Sequence, residues 1–350
     1  MITHSSNGRI VLWNIDTRQP IWSAKGSSEK TASAVSVDGK RVAFFDGTYL
    51  SVIDLATAKP LGSISLKGAG ASGWNRVMWS PAGDQLLLIM SGSVRVLDVA
   101  TGDWVHEYQL SESAICTNTS DYPNKEFALI DGGVLLHLPS KIKVCSYGNA
   151  STVQTLGNVT FVTAWNDSAG VLMPIELPHA AAKSMLAKAQ DDPTLFLLHP
   201  GVGVAIDVSQ VPSQYQAEVE KLLRKSIEDS GYKVDASSDI RAIAGVSAPK
   251  QEAVSYIARG SYVVTQYTSS LALKWNNKAV FNRSTTNIPT MLQTKRNQTI
   301  QQALDEHSKA PSISFFGNIR FPKFMQKPSE GKSGGDALMK ATITPRGAES

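Results

Sequence analysis

The chain lacks most of the features that announce a chemistry. It holds two cysteines, Cys116 and Cys145. That is too few for the disulfide framework on which small secreted domains depend, and two free, buried thiols are expected. No apolar run approaches the ~20 residues of a membrane-spanning helix. The opening residues Met1-Ile2-Thr3-His4-Ser5-Ser6 are polar and lack the basic and apolar regions of a signal peptide. A cytoplasmic location is the expectation. The net charge is only +4, so charge alone does not place the chain among nucleic-acid binders. Six N-x-S/T triplets, at Asn118, Asn149, Asn158, Asn166, Asn282 and Asn297, have meaning only in a secreted chain.

Catalytic signatures are missing too. Gly331-Lys332-Ser333 resembles the end of a phosphate-binding loop, but Gln326 stands where that loop needs its first glycine. Gly201-Val202-Gly203 lacks the third glycine of a dinucleotide fingerprint. There is no G-x-S-x-G elbow and no pair of carboxylates that stands out. Asp191-Asp192-Pro193 reads as a turn at a helix end. None of the six histidines is spaced from another His, Cys or carboxylate as a zinc ligand would be. No catalytic, cofactor-binding or metal-binding residue is therefore assigned, and no cofactor is expected. His179 and His199 are the pair to watch, because each lies where a strand breaks, near an expected domain junction.

What is present is a repeat. Three segments share one plan: Gly8–Asp16, Tyr49–Thr57 and Ser93–Gly102. Each is an alternating β run that ends at an acidic residue and a polar turn. Asp16, Asp54 and Asp98 mark the ends, 38 and 44 residues apart. A second marker keeps step: Ser36-Val37-Asp38-Gly39-Lys40 and Ser80-Pro81-Ala82-Gly83-Asp84 each precede a strand, and Gly39 and Gly83 are again 44 apart. Asp-Gly and Pro-x-Gly supply tight-turn dihedrals, and alternating Val, Leu and Ile bury one face of each small sheet on the next. A four-stranded blade cannot cover its own faces, so blades stack in a ring.

These residues resemble the WD40 family. Trp13 stands where its tryptophan-aspartate dipeptide belongs, and Trp79-Ser80-Pro81 is similar to its tryptophan-serine-proline stretch. The resemblance is degenerate: Ile53-Asp54 and Leu97-Asp98 replace the tryptophan, and no Gly-His pair opens a blade. It implies a binding scaffold rather than one reaction. The strands Glu126–Ile130, Gly133–Leu138 and Lys141–Tyr147 read as a divergent fourth blade, and Val159–Leu177 as a fifth. Met1 enters in the middle of a blade. Three readings stay open: a fragment of a longer propeller, a small closed ring, or an open half-ring completed by a second copy.

The pattern changes after Leu177. Ala180–Gln190 and Gln214–Ser230 are predicted helices, the second amphipathic with Gly231 as its C-cap. Tyr232–Ala236, Asp239–Val246 and Tyr262–Lys274 are predicted strands. Asn276-Asn277 is a predicted hairpin turn, and Thr299 or Asn297 the N-cap of a short helix. The fold expected is multi-domain, β plus α/β: a partial or small WD40-like β-propeller of about 4–5 blades over 1–177, and a compact α+β domain over 178–328. Residues 329–350, rich in Gly, Ser and Lys, are expected to be disordered.

One charge feature is uneven. From Leu271 to Pro328 there are nine Lys or Arg and two acids, with Trp275, Phe281, Phe315, Phe316, Phe321 and Phe324 interleaved. Lys274, Lys278, Arg283, Lys295, Arg296, Arg320 and Lys323 form a candidate basic surface. The favoured reading is a half-exposed sheet, aromatics inward and lysines outward. An acidic protein partner, and then nucleic acid or an anionic membrane surface, rank below it. The function expected is a non-catalytic scaffold that binds a protein partner. The alternative is an enzyme or ligand-binding protein with a site near His179 and His199.

Overall fold

A computed structural model describes residues 1–5, 7–25, 32–66, 75–90, 93–109, 120–130, 133–157, 159–166, 169–256, 260–288, 298–327, 337–344 and 346–349. The chain parts into two compact units. One comprises Met1–Leu195 with Asp336–Ser350, the other Phe196–Gly335. The second is therefore an insertion in the sequence of the first.

The first unit is a series of antiparallel meanders. The first sheet is β1 (Ile2–His4), β2 (Arg9–Trp13) and β3 (Pro20–Lys25). The second is β4 (Ala32–Val35), β5 (Arg41–Phe45), β6 (Tyr49–Asp54) and β7 (Pro60–Ser65). The third is β8 (Arg76–Trp79), β9 (Gln85–Met90), β10 (Ser93–Asp98) and β11 (Trp104–Gln109). The fourth starts with β12 (Asp121–Asn124), β13 (Phe127–Ile130), β14 (Val134–His137) and β15 (Ile142–Gly148). Then come β16 (Ala150–Leu156), β17 (Val159–Asn166) and β18 (Ala169–Ile175). Strands β4, β8, β12 and β16 each form an edge of their sheet and lie one beside the next. This is a four-bladed β-propeller-like arrangement, preceded by the three strands β1–β3.

Strand β9 shows why the sheets stack. Its run Gln85-Leu-Leu-Leu-Ile-Met90 is apolar at five successive positions, which a one-sided strand would not need. Leu86, Leu88 and Met90 pack with Phe45, Leu50 and Val52 of the second sheet. Leu87 and Ile89 pack with Ala128, Ile130 and Leu136 of the fourth. Period-two alternation thus sends one strand's side chains into two cores. Each fully buried Leu or Ile contributes roughly 1.5–3 kcal/mol.

The turn after β2, β6, β10 and β14 repeats in detail. The Asp54 carboxylate accepts from Thr57 N at 2.7 Å and Thr57 Oγ1 at 2.8 Å. The Asp98 carboxylate accepts from Ala100 N at 2.9 Å and Thr101 N at 3.0 Å. In the first sheet this acceptor is Asn14, which takes Asp16 N at 2.9 Å and Thr17 N at 3.0 Å. In the fourth it is His137, whose Nδ1 lies 2.6 Å from Ser140 Oγ. Four residues after each acceptor comes a left-handed residue: Arg18 (φ 57), Ala58 (φ 55), Gly102 (φ 77) and Lys141 (φ 63). The repeat marker in the first sheet is therefore Asn14, not Asp16, because the turn needs an acceptor just before those N–H groups. The sheet read as Val159–Leu177 begins earlier, at Ala150.

Helix α1 (Ala180–Asp191) follows β18 and belongs to this first unit rather than to the region after it. It rests on β15.

The second unit begins with β19 (Phe196–Leu198) and β20 (Gly203–Gln210). Helix α2 (Ser213–Asp229), β21 (Lys233–Val234) and β22 (Ile240–Val246) follow. A hairpin of β23 (Lys250–Tyr256) and β24 (Gly260–Gln266) leads to β25 (Thr268–Trp275) and β26 (Lys278–Thr286). The main sheet has the order β21-β20-β22-β25-β26, with β20 and β22 parallel across α2. Val219, Leu223 and Ile227 fall at helical spacing and are buried with Val204, Ala242, Leu271 and Phe281. Tyr262–Lys274, expected as one strand, is two. Asn287 breaks it, accepting from Tyr267 N at 2.8 Å and donating to the Thr265 carbonyl at 3.2 Å. Asn276 (φ 47) and Asn277 (φ 64) make the hairpin turn. Helix α3 (Ile300–His307) has Thr299 as its N-cap in a reciprocal capping box with Gln302. Strand β27 (Met325–Gln326) pairs with β19.

The chain then returns to the first unit. Strand β28 (Met339–Thr344) adds to the fourth sheet in parallel beside β15, and β29 (Gly347–Glu349) folds back on it. This corrects the expectation of a disordered tail over its described part. Ala337, Leu338, Ala341 and Ile343 are buried there, and that burial outweighs the polar composition around them.

Candidate interaction site

A cavity of about 710 Å³ lies where β4, β8, β12 and β16 face one another. On one side it is braced by Trp79. The indole Nε1 donates to the Ala34 carbonyl at 3.0 Å, tying β8 to β4. The Arg41 guanidinium covers the other side of that ring, 4.8 Å from its centroid, and donates to the Gly83 carbonyl at 2.8 Å. On the opposite side Thr155 Oγ1 donates to Asp121 Oδ2 at 2.5 Å and lies 2.8 Å from Thr160 Oγ1, tying β16 to β12. Tyr122 donates to Gln85 Oε1 at 2.7 Å, and Lys125 bonds Asp84, joining the fourth blade to the third.

Burial pushes the Asp121 carboxyl above its ordinary range, against the Thr155 hydroxyl, the Tyr122 amide and the nearby Arg76 charge. Burial likewise raises the Tyr122 hydroxyl. At Asp84 burial is outweighed by Lys125 and Ser80, and the carboxyl sits below its ordinary range. These groups hold blades together. Among the described residues that line the cavity there is no His, Cys, Lys or Glu, and its buried carboxylate, Asp121, is engaged by the Thr155 hydroxyl. Its mouth is apolar and open: Val35 is 46% exposed, Val37 57% and Leu156 63%. The chemistry on offer is recognition by burial of apolar surface around a polar throat.

The residues singled out from sequence play other parts. Trp13 is half-buried, and its indole donates to Thr3 Oγ1 at 2.8 Å. Gly39 (φ 69) and Gly83 (φ 73) make the turns before β5 and β9, and Asp54 and Asp98 cap the turns after β6 and β10. Asp16 is exposed. His179 belongs to the first unit and His199 to the second. His179 Nδ1 lies 2.8 Å from the Tyr147 hydroxyl, its Nε2 is buried, and burial lowers its pKa. His199 Nδ1 lies 3.1 Å from the Pro200 carbonyl. Among the described residues no group of three or more His, Cys, Asp or Glu is placed to hold a metal.

The basic residues do not share one face. Lys274 follows Leu273 in β25 and so points away from the core side, whereas Arg283 pairs with buried Leu271 and covers the Phe281 ring at 4.7 Å. Lys278 and Arg320 are exposed, and Lys323 lies over Phe324. Phe281, Phe316 and Phe321 are core residues. Lys295 and Arg296 lie outside the described residues. Ser36, Val37, Trp79 and Pro81 of the cavity stand out in the sequence as repeat markers, whereas its residues on β12 and β16 do not, because those strands carry no turn signature of the repeat.

Comparison with known proteins adds little to this geometry. No protein-family model and no curated protein matches the chain. Among solved structures, hydrazine synthase of Kuenenia stuttgartiensis is similar at 14% identity and a TM-score of 0.29. The match covers 50% of this chain and 65% of that one, less than two thirds of its length. A likeness that slight carries no argument. Among the described residues, no helix is long and apolar enough to cross a membrane.

Proposed function

We propose that the chain is a non-catalytic interaction protein whose WD40-like blades bind a protein partner at the mouth of the inner-strand cavity. The observation that carries this reading is the exposed apolar rim, Val35, Val37 and Leu156, around the cavity. Large side chains are seldom left so exposed together without a use. The repeated turn, with an acceptor and then a left-handed residue, supports degenerate WD40-type blades. The second unit, with its strand–helix–strand layer, is read as an α+β domain joined to that scaffold. A reducing, cytoplasmic setting belongs to the same reading and is compatible with the free thiol of Cys145.

The test is a quantitative pull-down from extract of the source cells. Val37→Asp and Leu156→Asp should abolish capture of the partner that the parent chain retains. Leu61→Asp, at a residue 60% exposed on β7 outside the cavity, should not. Equal capture by all three variants would sink the proposal.

A further inference from the structure

The blades differ at their outer edges. The second and third sheets end at β7 and β11, but the fourth continues past β15 into β28 and β29. The pairing is parallel, Cys145 opposite Met339 through Gly148 opposite Thr342, so β28 is not a hairpin continuation of β15. It arrives after the whole second unit has intervened. It is a short amphipathic strand: Ala341 and Ile343 are buried, Lys340 and Thr342 point to solvent, and Leu338 just before it is buried. Leu338 N donates to the Lys143 carbonyl at 3.0 Å. Strand β29 turns back along it and lies against β18.

An uncovered β15 edge would present a row of free N–H and C=O groups, a template for any added strand. Main-chain bonds supply affinity in such an addition, and pockets for alternate side chains supply selectivity. Both are present here, in a segment tethered through a long connection. The connection passes through a separate compact unit, so β28 docks on β15 as a segment of its own, and the same segment of another chain can compete for that edge. We infer that the outer edge of β15 is a strand-acceptor site for the segment 337–349, filled in this chain by its own β28 and open to the same segment from a second copy of the chain.

Cys145 is the reporter. It is fully buried opposite Met339, and burial pushes its thiol up to about 11. In a full-length chain carrying Cys116→Ser it is the sole thiol. Alkylation by iodoacetamide under native conditions should be slow in that chain. It should be faster by about tenfold or more with Ile343→Asp, as expected for local release of an edge strand. Adding a synthetic peptide of residues 337–349 at millimolar concentration should restore protection. Thr342→Pro, at an exposed position, removes an N–H instead of a packing group and should act alike. Concentrated parent chain should form a dimer, detected by light scattering, that Thr342→Pro abolishes. Unchanged alkylation in both variants, or no protection by the peptide, would overturn the proposal. So would global unfolding of both, which would make β28 an integral core strand.

Discussion

At the residue scale the repeat is a matter of one acceptor and one dihedral. Asp54, Asp98, Asn14 and His137 differ in charge and type, yet each places an acceptor at the start of the same turn. Asn14→Ala should lower stability by about 1 kcal/mol, whereas Asp16→Ala should stay within about 0.5 kcal/mol. Denaturant midpoints at unchanged slope check the pair. Ala58 holds φ 55, a conformation that suits glycine. Ala58→Gly should therefore raise stability by about 0.5–1 kcal/mol, and Gly102→Ala, at φ 77, should lower it by a similar amount. The period was legible in the sequence, since Asp54 and Asp98 stand 44 residues apart. The acceptors of the first and fourth copies, Asn14 and His137, were not, because acidity was the visible marker while hydrogen-bond acceptance is the physical one.

Among the elements, the contact between β12 and β16 is the one that should respond to pH. Asp121 has a raised folded value, so the folded chain takes up its proton at a higher pH than the unfolded chain. Its contribution to stability is full below the unfolded carboxyl value near ~3.9 and is lost as pH rises through the raised folded value. Asp121→Asn should be at least as stable as the parent at neutral pH, and the two should converge near ~4, in melting curves recorded across that window. A variant less stable than the parent at neutral pH would show that the charge itself is needed. In the second unit, Leu223→Ala on α2 should cost about 2–5 kcal/mol, because the side chain is fully buried. Helices α1, α2 and α3 and the Asn-Asn turn were readable from spacing and capping, since those signals are local. Strands β12, β16 and β28 were not. Their partners lie far away in sequence, and β28 is embedded in a polar, glycine-rich stretch that hides four buried residues.

At the scale of the whole molecule, the inner strands of the first unit leave a cavity with an apolar mouth, and its blade contacts use the available polar groups for cohesion. Binding at that mouth is the function proposed, and the second unit is an insertion whose chain returns to the fourth sheet. Amide hydrogen exchange of the full chain, with and without the captured partner, tests this most directly. The account predicts slowed exchange in β4 and at the end of β16, around Val35, Val37 and Leu156. Protection confined to the second unit, or to the outer strands β7 and β11, would contradict it.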